Sequence, residues 1–305
     1  MATDHFIPRA YLRGFTPEYL TEKKGGKLFV YNASSGNSRS LSINDHVACE
    51  PEFYNNHPLD KEWSQTIERT WGDVRDRLKT GDKTPELLDQ LFWFVSAQFI
   101  RTQSFMNRVA RKISWQNRKK PRVTLDGREV TGVFVDVADT TSVMDQVQAA
   151  WPNAKAALET DYVWTVYHND SDRRFLTSDD PCQLDEGTQK VVMPLALDLA
   201  MSGRLVADGE EPYLMHSQPS VEVVRKINQG VVKGCKSSVY SHEQTAELRR
   251  FVIRHCPPLP SPLMAGRSFR NNPESMTGED IQRIVDRFNE LRRRERESED
   301  TPGPL

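Results

Sequence analysis

The sequence predicts an α+β fold, with a helical first half packed on a mainly antiparallel sheet from the second half. Three observations carry that expectation. Between residues 59 and 102 apolar side chains recur every three or four positions, the period of a helix with a buried face. From residue 162 to 207, short runs rich in Val, Tyr, Leu and Met alternate with turn residues, as strands joined by tight connections do. The composition, 37% hydrophobic and 28% charged over 305 residues, is that of a globular chain long enough to bury a sizeable core.

Taken in order, Pro8 opens a short helix or turn carrying Tyr11, Leu12 and Phe15. Gly25-Gly26 turns into a strand over residues 27–32, with a partner expected at 40–43. Residues 59–79 read as one helix on the spacing of Trp63, Ile67, Trp71, Val74 and Leu78. Thr84 and Pro85 supply the cap and first turn of a second helix, apolar on most sides near residues 92–100 and therefore central. Asp126-Gly127 marks a hairpin turn. Residues 141–159 predict a helix bent or broken near Pro152. Strands are expected at 162–168, 174–178, 191–195 and 200–207, and helices at about 220–234 and 242–255. The run PPLPSPL after Cys256 separates a domain over 1–256 from 257–305, which holds the linker, a last helix and a disordered tail.

Charge and motifs narrow the function classes. With 41 basic and 43 acidic residues the net charge is −2, so no global field draws nucleic acid or an anionic membrane. The longest apolar stretch, residues 91–100, is interrupted by Ser96 and Gln98 and is too short to span a bilayer, so no membrane partner is expected. Four cysteines form no C-x-x-C pair and the first residues lack a secretory pattern, which predicts reduced thiols in a cytoplasm. Glycine-rich phosphate loops, metal-binding histidine spacings and a G-x-S-x-G elbow around Ser178 are all missing from the sequence.

The polar residues in apolar surroundings are the candidates for chemistry. Gln98 and Arg101 lie three apart on one helix, hence on one face. A buried guanidinium costs several kcal/mol, roughly, unless it is paired, so Glu68 or Asp179 should face Arg101. Such an arginine either ties the helical half to the sheet half or clamps an anion on a cleft wall. His5 could move a proton and Arg9, one turn on, could hold a phosphate or carboxylate, or His5 could simply pin its segment. Asp179 and Asp180 end a strand just before Pro181, either at a site or in an Asx-turn. Glu68 with Asp179 is the one pairing that suggests a divalent metal such as Mg2+. The basic run from Arg108 through Arg122, with Trp115 inside it, could grip nucleic acid or form the solvated end of a helix. The last helix, ending LRRRERESED, is a solvated face or a contact for a protein partner.

The order of these features resembles the family catalogued as domain of unknown function 4238 over about residues 4–240. The likeness rests on His5, Pro8, Tyr11, Leu12 and Phe15, then the strand near Leu28, Tyr54 and Glu68. It continues through Gln98, Arg101 and Thr102, the turn Thr177 to Pro181, Pro194-Leu195 and Asn228. The resemblance implies a shared fold and a shared pocket, and it favours Asp179 over Asp180. The resemblance implies nothing about substrate, and the candidate residues themselves support two functions as expectations. One is a hydrolase or phosphodiesterase acting on a phosphorylated or nucleic-acid substrate, with His5 as acid or base and Arg101 as anion clamp. In that reading Asp179 with Glu68 orients the reacting groups or binds metal, and Arg9, Gln98 and Ser178 contact substrate. The alternative is a binding or regulatory module in which these residues form a buried structural network.

Overall fold

The structure, a computed structural model, describes residues 3–21, 26–44, 47–51, 53–54, 57–102, 105–106, 109–110, 123–125, 128–130, 140–185 and 188–256. The basic run's core at 111–122 and the expected linker, last helix and tail at 257–305 lie outside them. The chain divides into two compact units, Met1–Asn117 with Asp136–Pro258, and Arg118–Val135 with Leu259–Leu305.

In the first unit, β1 (Thr3–His5) leads through Pro8, the cap residue, into α1 (Arg9–Arg13). Strands β2 (Lys27–Asn32) and β3 (Ser38–Ser42) form the expected hairpin, and β4 (Cys49–Pro51) pairs back on β1. The expected single helix is instead three pieces: α2 (Pro58–Glu62), a π-helical turn at Trp63–Glu68, and α3 (Trp71–Lys79). The Thr66 hydroxyl donates to the Glu62 carbonyl at 2.6 Å and that of Thr70 to Ile67 at 3.1 Å. Hydroxyls that bond carbonyls along a helix compete with its own ladder, and the widened turn sits where they do so. His57 caps α2, with Nδ1 accepting from the Leu59 amide at 3.2 Å. Helix α4 (Pro85–Ile100) starts at Pro85 as expected, but Thr84 does not cap it with its side chain. Asp82 takes the Thr84 amide at 2.8 Å instead.

The second unit contributes the described hairpin of β5 (Val123–Leu125) and β6 (Arg128–Val130), on either side of Asp126-Gly127. Back in the first unit, α5 (Thr140–Thr160) continues unbroken through Pro152, where the sequence predicts a bend or break. Trp151, Val147 and Met144 are buried on one face, while Pro152 and Gln148 are exposed. The carbonyl that proline leaves unbonded therefore faces water, and packing of the other face holds the helix together.

Strands β7 (Tyr162–His168), β8 (Thr177–Ser178), β9 (Gln183–Asp185), β10 (Lys190–Ala196), β11 (Leu199–Leu205) and β12 (Leu214–Ser217) follow. Helix α6 (Val221–Gly234), β13 (Ser238–Ser241) and α7 (Ala246–His255) complete the unit. Five strands make one sheet in the order β12-β7-β11-β10-β9, antiparallel except where β12 runs parallel to β7. The other sheet, β3-β2-β13-β8, takes two strands from each half of the chain. The protein is thus α+β, but helices and strands are interspersed in both halves rather than divided between them. The main core joins Tyr11, Trp71 and Phe94 to strand residues such as Met193, Leu195 and Met201. The rings of Trp71 and Phe94 stack with centroids 3.6 Å apart.

Candidate functional site: a buried polar network

Helix α4 delivers Arg101 at its C-terminal end, where the side chain is 1% exposed. Its Nη1 meets Glu68 Oε1 at 2.6 Å, and its Nε donates to the Tyr54 hydroxyl at 3.0 Å. The guanidinium also lies over the Trp63 ring, 5.1 Å from its centroid. Burial works to remove the charge, but Tyr54 and Glu68 more than offset it and hold Arg101 above its ordinary pKa. Of the two carboxylates expected to face Arg101, Glu68 is the one that does. Gln98, one turn earlier and 1% exposed, has no hydrogen-bond partner at either amide atom. The indole nitrogens of Trp63 and Trp71 are also buried without a partner.

Asp179 is placed by the short strand β8 and is spent on a different part of the fold. Its Oδ1 accepts from the Lys236 amide at 2.8 Å. Its Oδ2 accepts from the Ser237 amide and hydroxyl, each at 2.7 Å, and from the Ser238 amide at 3.1 Å. Burial raises the carboxyl's pKa, and these donors pull against it. Asp179 does not make the local Asx-turn, one of its two readings from sequence, because the amides come from Lys236 and Ser237 after α6 and from Ser238 at the start of β13. Ser178 makes the local turn instead: its hydroxyl oxygen accepts from the Asp180 amide at 3.3 Å and the hydroxyl donates to the Asp180 carbonyl at 2.9 Å.

Two more bridges join distant segments. The Tyr11 hydroxyl donates to the Pro194 carbonyl at 2.7 Å and pairs with Thr177 Oγ1 at 2.7 Å, tying α1 to β10 and β8. Asn228 of α6 accepts from the Leu176 amide and donates to the Arg174 carbonyl, both at 2.9 Å. Buried amides and carbonyls of an irregular segment must find partners, and here side chains supply them.

His5 is placed by the backbone of β1, opposite Cys49. Arg9 begins α1 on the exposed side, and its charge lowers the Cys49 thiol pKa against a larger upward push from burial. The structure brings Arg101 to Glu68 and Asp179 to residues 236–238. It brings neither Arg101 nor Glu68 to Asp179, so the two acids suggested for a magnesium ion take separate partners. Among the described residues, no group of three or more His, Cys, Asp or Glu is gathered to hold a metal ion. A cleft of about 230 Å³ is lined by Glu62, Thr66, Ile67, Thr70, Gln90, Trp93 and Trp151. A more open basin of about 360 Å³ is lined by Lys79, Thr80, Gly81, His168, His216, Ser217 and Gln218. Neither is lined by His5, Arg9, Gln98, Arg101, Ser178 or Asp179.

Two clusters escaped the sequence. His168 Nε2 lies 2.7 Å from His216 Nδ1, at the ends of the parallel pair β7 and β12. Cys235 and Cys256 bring their sulfurs within 3.9 Å. Neither pair has a short spacing, and only the sheet register and helix packing reveal them.

Fold and network together define an α+β protein whose motif residues knit distant segments through buried hydrogen bonds. The model of the family described as protein of unknown function (DUF4238) matches residues 4–245, and the chain belongs to that family. No curated protein matches the chain, and no solved structure does. Among the described residues no helix is long and apolar enough to cross a membrane.

Proposed function

We propose that the chain is a cytoplasmic, non-catalytic binding or regulatory module whose polar motif residues serve its architecture. The observation that carries this reading is the occupancy of Asp179. A carboxylate offers about four acceptor positions, and four donors from Lys236, Ser237 and Ser238 converge on this one, one on Oδ1 and three on Oδ2. A carboxylate so engaged is committed to holding residues 236–238 rather than turned to a metal ion or a substrate hydroxyl. Arg101 is likewise engaged by Glu68 and Tyr54 rather than turned to a cleft.

The competing reading, a hydrolase or phosphodiesterase using His5, Arg101 and Asp179, draws support from Gln98, a buried amide with no partner. A screen of the purified protein against phosphoesters and nucleic acids, with and without Mg2+, decides between them. The module reading expects saturable binding to some of these or none, and no turnover. Turnover that disappears in His5→Ala or Asp179→Asn, while both variants keep their circular dichroism spectrum, would establish the hydrolase instead.

A further inference from the structure

Cys235 and Cys256 occupy equivalent places, each the residue that ends a helix: Cys235 closes α6 and Cys256 closes α7. Both have extended backbone angles there, φ −61° with ψ 149° and φ −66° with ψ 128°. Their side chains can therefore shift without breaking a helical turn. The sulfurs stand 3.9 Å apart, so a bond of about 2.05 Å needs an approach of roughly 2 Å. Cys235 is buried, with its thiol donating to the Val232 carbonyl at 3.1 Å, while Cys256 is only half-buried. The residue after Cys235 begins the loop that holds Asp179, so a bond between the sulfurs would fasten α7 to that loop.

We propose that Cys235 and Cys256 form a reversible disulfide by exchange with a small disulfide of the oxidised-glutathione type, which locks the closing helix onto the Asp179 loop. This goes beyond the module reading and stands whether or not that reading holds. In the first step Cys256, the more exposed thiol, loses its proton to solvent. Its thiolate attacks one sulfur of the small disulfide, whose S–S bond breaks, and the departing thiolate takes up a proton. Cys235 then attacks Cys256 Sγ as a thiolate, and the second small thiol leaves and is protonated. Two cysteine thiols are oxidised, one small disulfide becomes two thiols, and no proton is gained or lost overall. Burial holds both thiols above the ordinary cysteine pKa, so the exchange is slow near neutrality and quickens as pH rises.

The test uses the full chain incubated with oxidised glutathione at mildly alkaline pH, followed by alkylation, intact mass and peptide mapping. The expected result is loss of two alkylatable thiols, a Cys235–Cys256 linked peptide without glutathione adduct, and reversal by dithiothreitol. The oxidised form should melt several degrees higher, on the order of 5 °C for closing a loop of this size. In Cys235→Ser, Cys256 should accumulate as the mixed disulfide. A wild-type protein that keeps a stable adduct on Cys256, cross-links through Cys49 or Cys182, or retains every thiol would overturn the proposal.

Discussion

At the scale of single residues, Arg101 and Gln98 show two opposite fates of a polar group in a core. Arg101 is 1% exposed and its partner Glu68 is 20% exposed, so removing the guanidinium would take from the carboxylate its ion-pair partner and from the Tyr54 hydroxyl a donor. Breaking such a pair from one side costs about 3–5 kcal/mol, and the partial exposure of Glu68 puts the expectation for Arg101→Ala near the lower figure. Urea unfolding measures it, and a loss below about 1 kcal/mol would mean the pair is weakly held. Gln98 is the reverse case: both amide atoms are buried with no partner, a desolvation of roughly 1–3 kcal/mol with nothing returned. Gln98→Met keeps the shape and should raise stability by about 1–2 kcal/mol. If the same variant also loses a bound ligand, Gln98 is a group kept for function at a cost in stability.

At the scale of elements, β8 is only two residues long, too short to hold itself in a sheet through its own ladder. Tyr11, Asn228 and Asp179 anchor it and its flanks from α1, α6 and the loop before β13. Asp179→Asn leaves one side-chain acceptor oxygen where three amides and a hydroxyl converge, and should cost more than about 2 kcal/mol. Thermal unfolding reads this directly, and faster amide exchange at Lys236–Ser238 would locate the loss. These anchors mark the limit of what the sequence reveals. The helical period around Trp63, Ile67 and Trp71, the start at Pro85 and the alternation in β7 are local signals, and they were legible. So was the demand of Arg101 for a carboxylate, because a buried charge constrains its surroundings whatever the fold. The donors around Asp179 were not legible, since they are backbone amides with no side-chain identity. The π-helical turn depends on how Thr66 and Thr70 orient their hydroxyls, and the pairing of β2 with β13 joins residues about 200 positions apart. Neither leaves a trace in a short window of sequence.

At the scale of the whole molecule, four half-buried histidines spread over separate elements share one liability. His168 and His216 close the β7–β12 end of the larger sheet, while His242 follows β13 and His255 ends α7. Burial is the leading cause that lowers all four below the ordinary histidine value of 6.5. A histidine depressed in the folded state takes up its proton more readily when unfolded. The folded protein therefore has full stability above about pH 6.5 and loses it as pH falls from there towards the lowered values. The pair at His168 and His216 sets the sharpest case. Lys79 and Lys83 oppose a charge there, Asp170 and Asp198 favour one, and His216 Nε2 is buried without a partner. A proton added to the pair must sit beside another imidazole 2.7 Å away. Asp179 acts with the opposite sign, because its raised carboxyl gains a proton in the folded state as pH falls. It is common to wild type and variants, so it cancels in their difference. Melting temperature measured from pH 7.5 to 5.5 should fall in the wild type and fall less in His168→Gln with His216→Gln. Parallel curves would mean that the pair takes its proton as easily folded as unfolded, and that the lowered values at His242 and His255 carry the acid sensitivity.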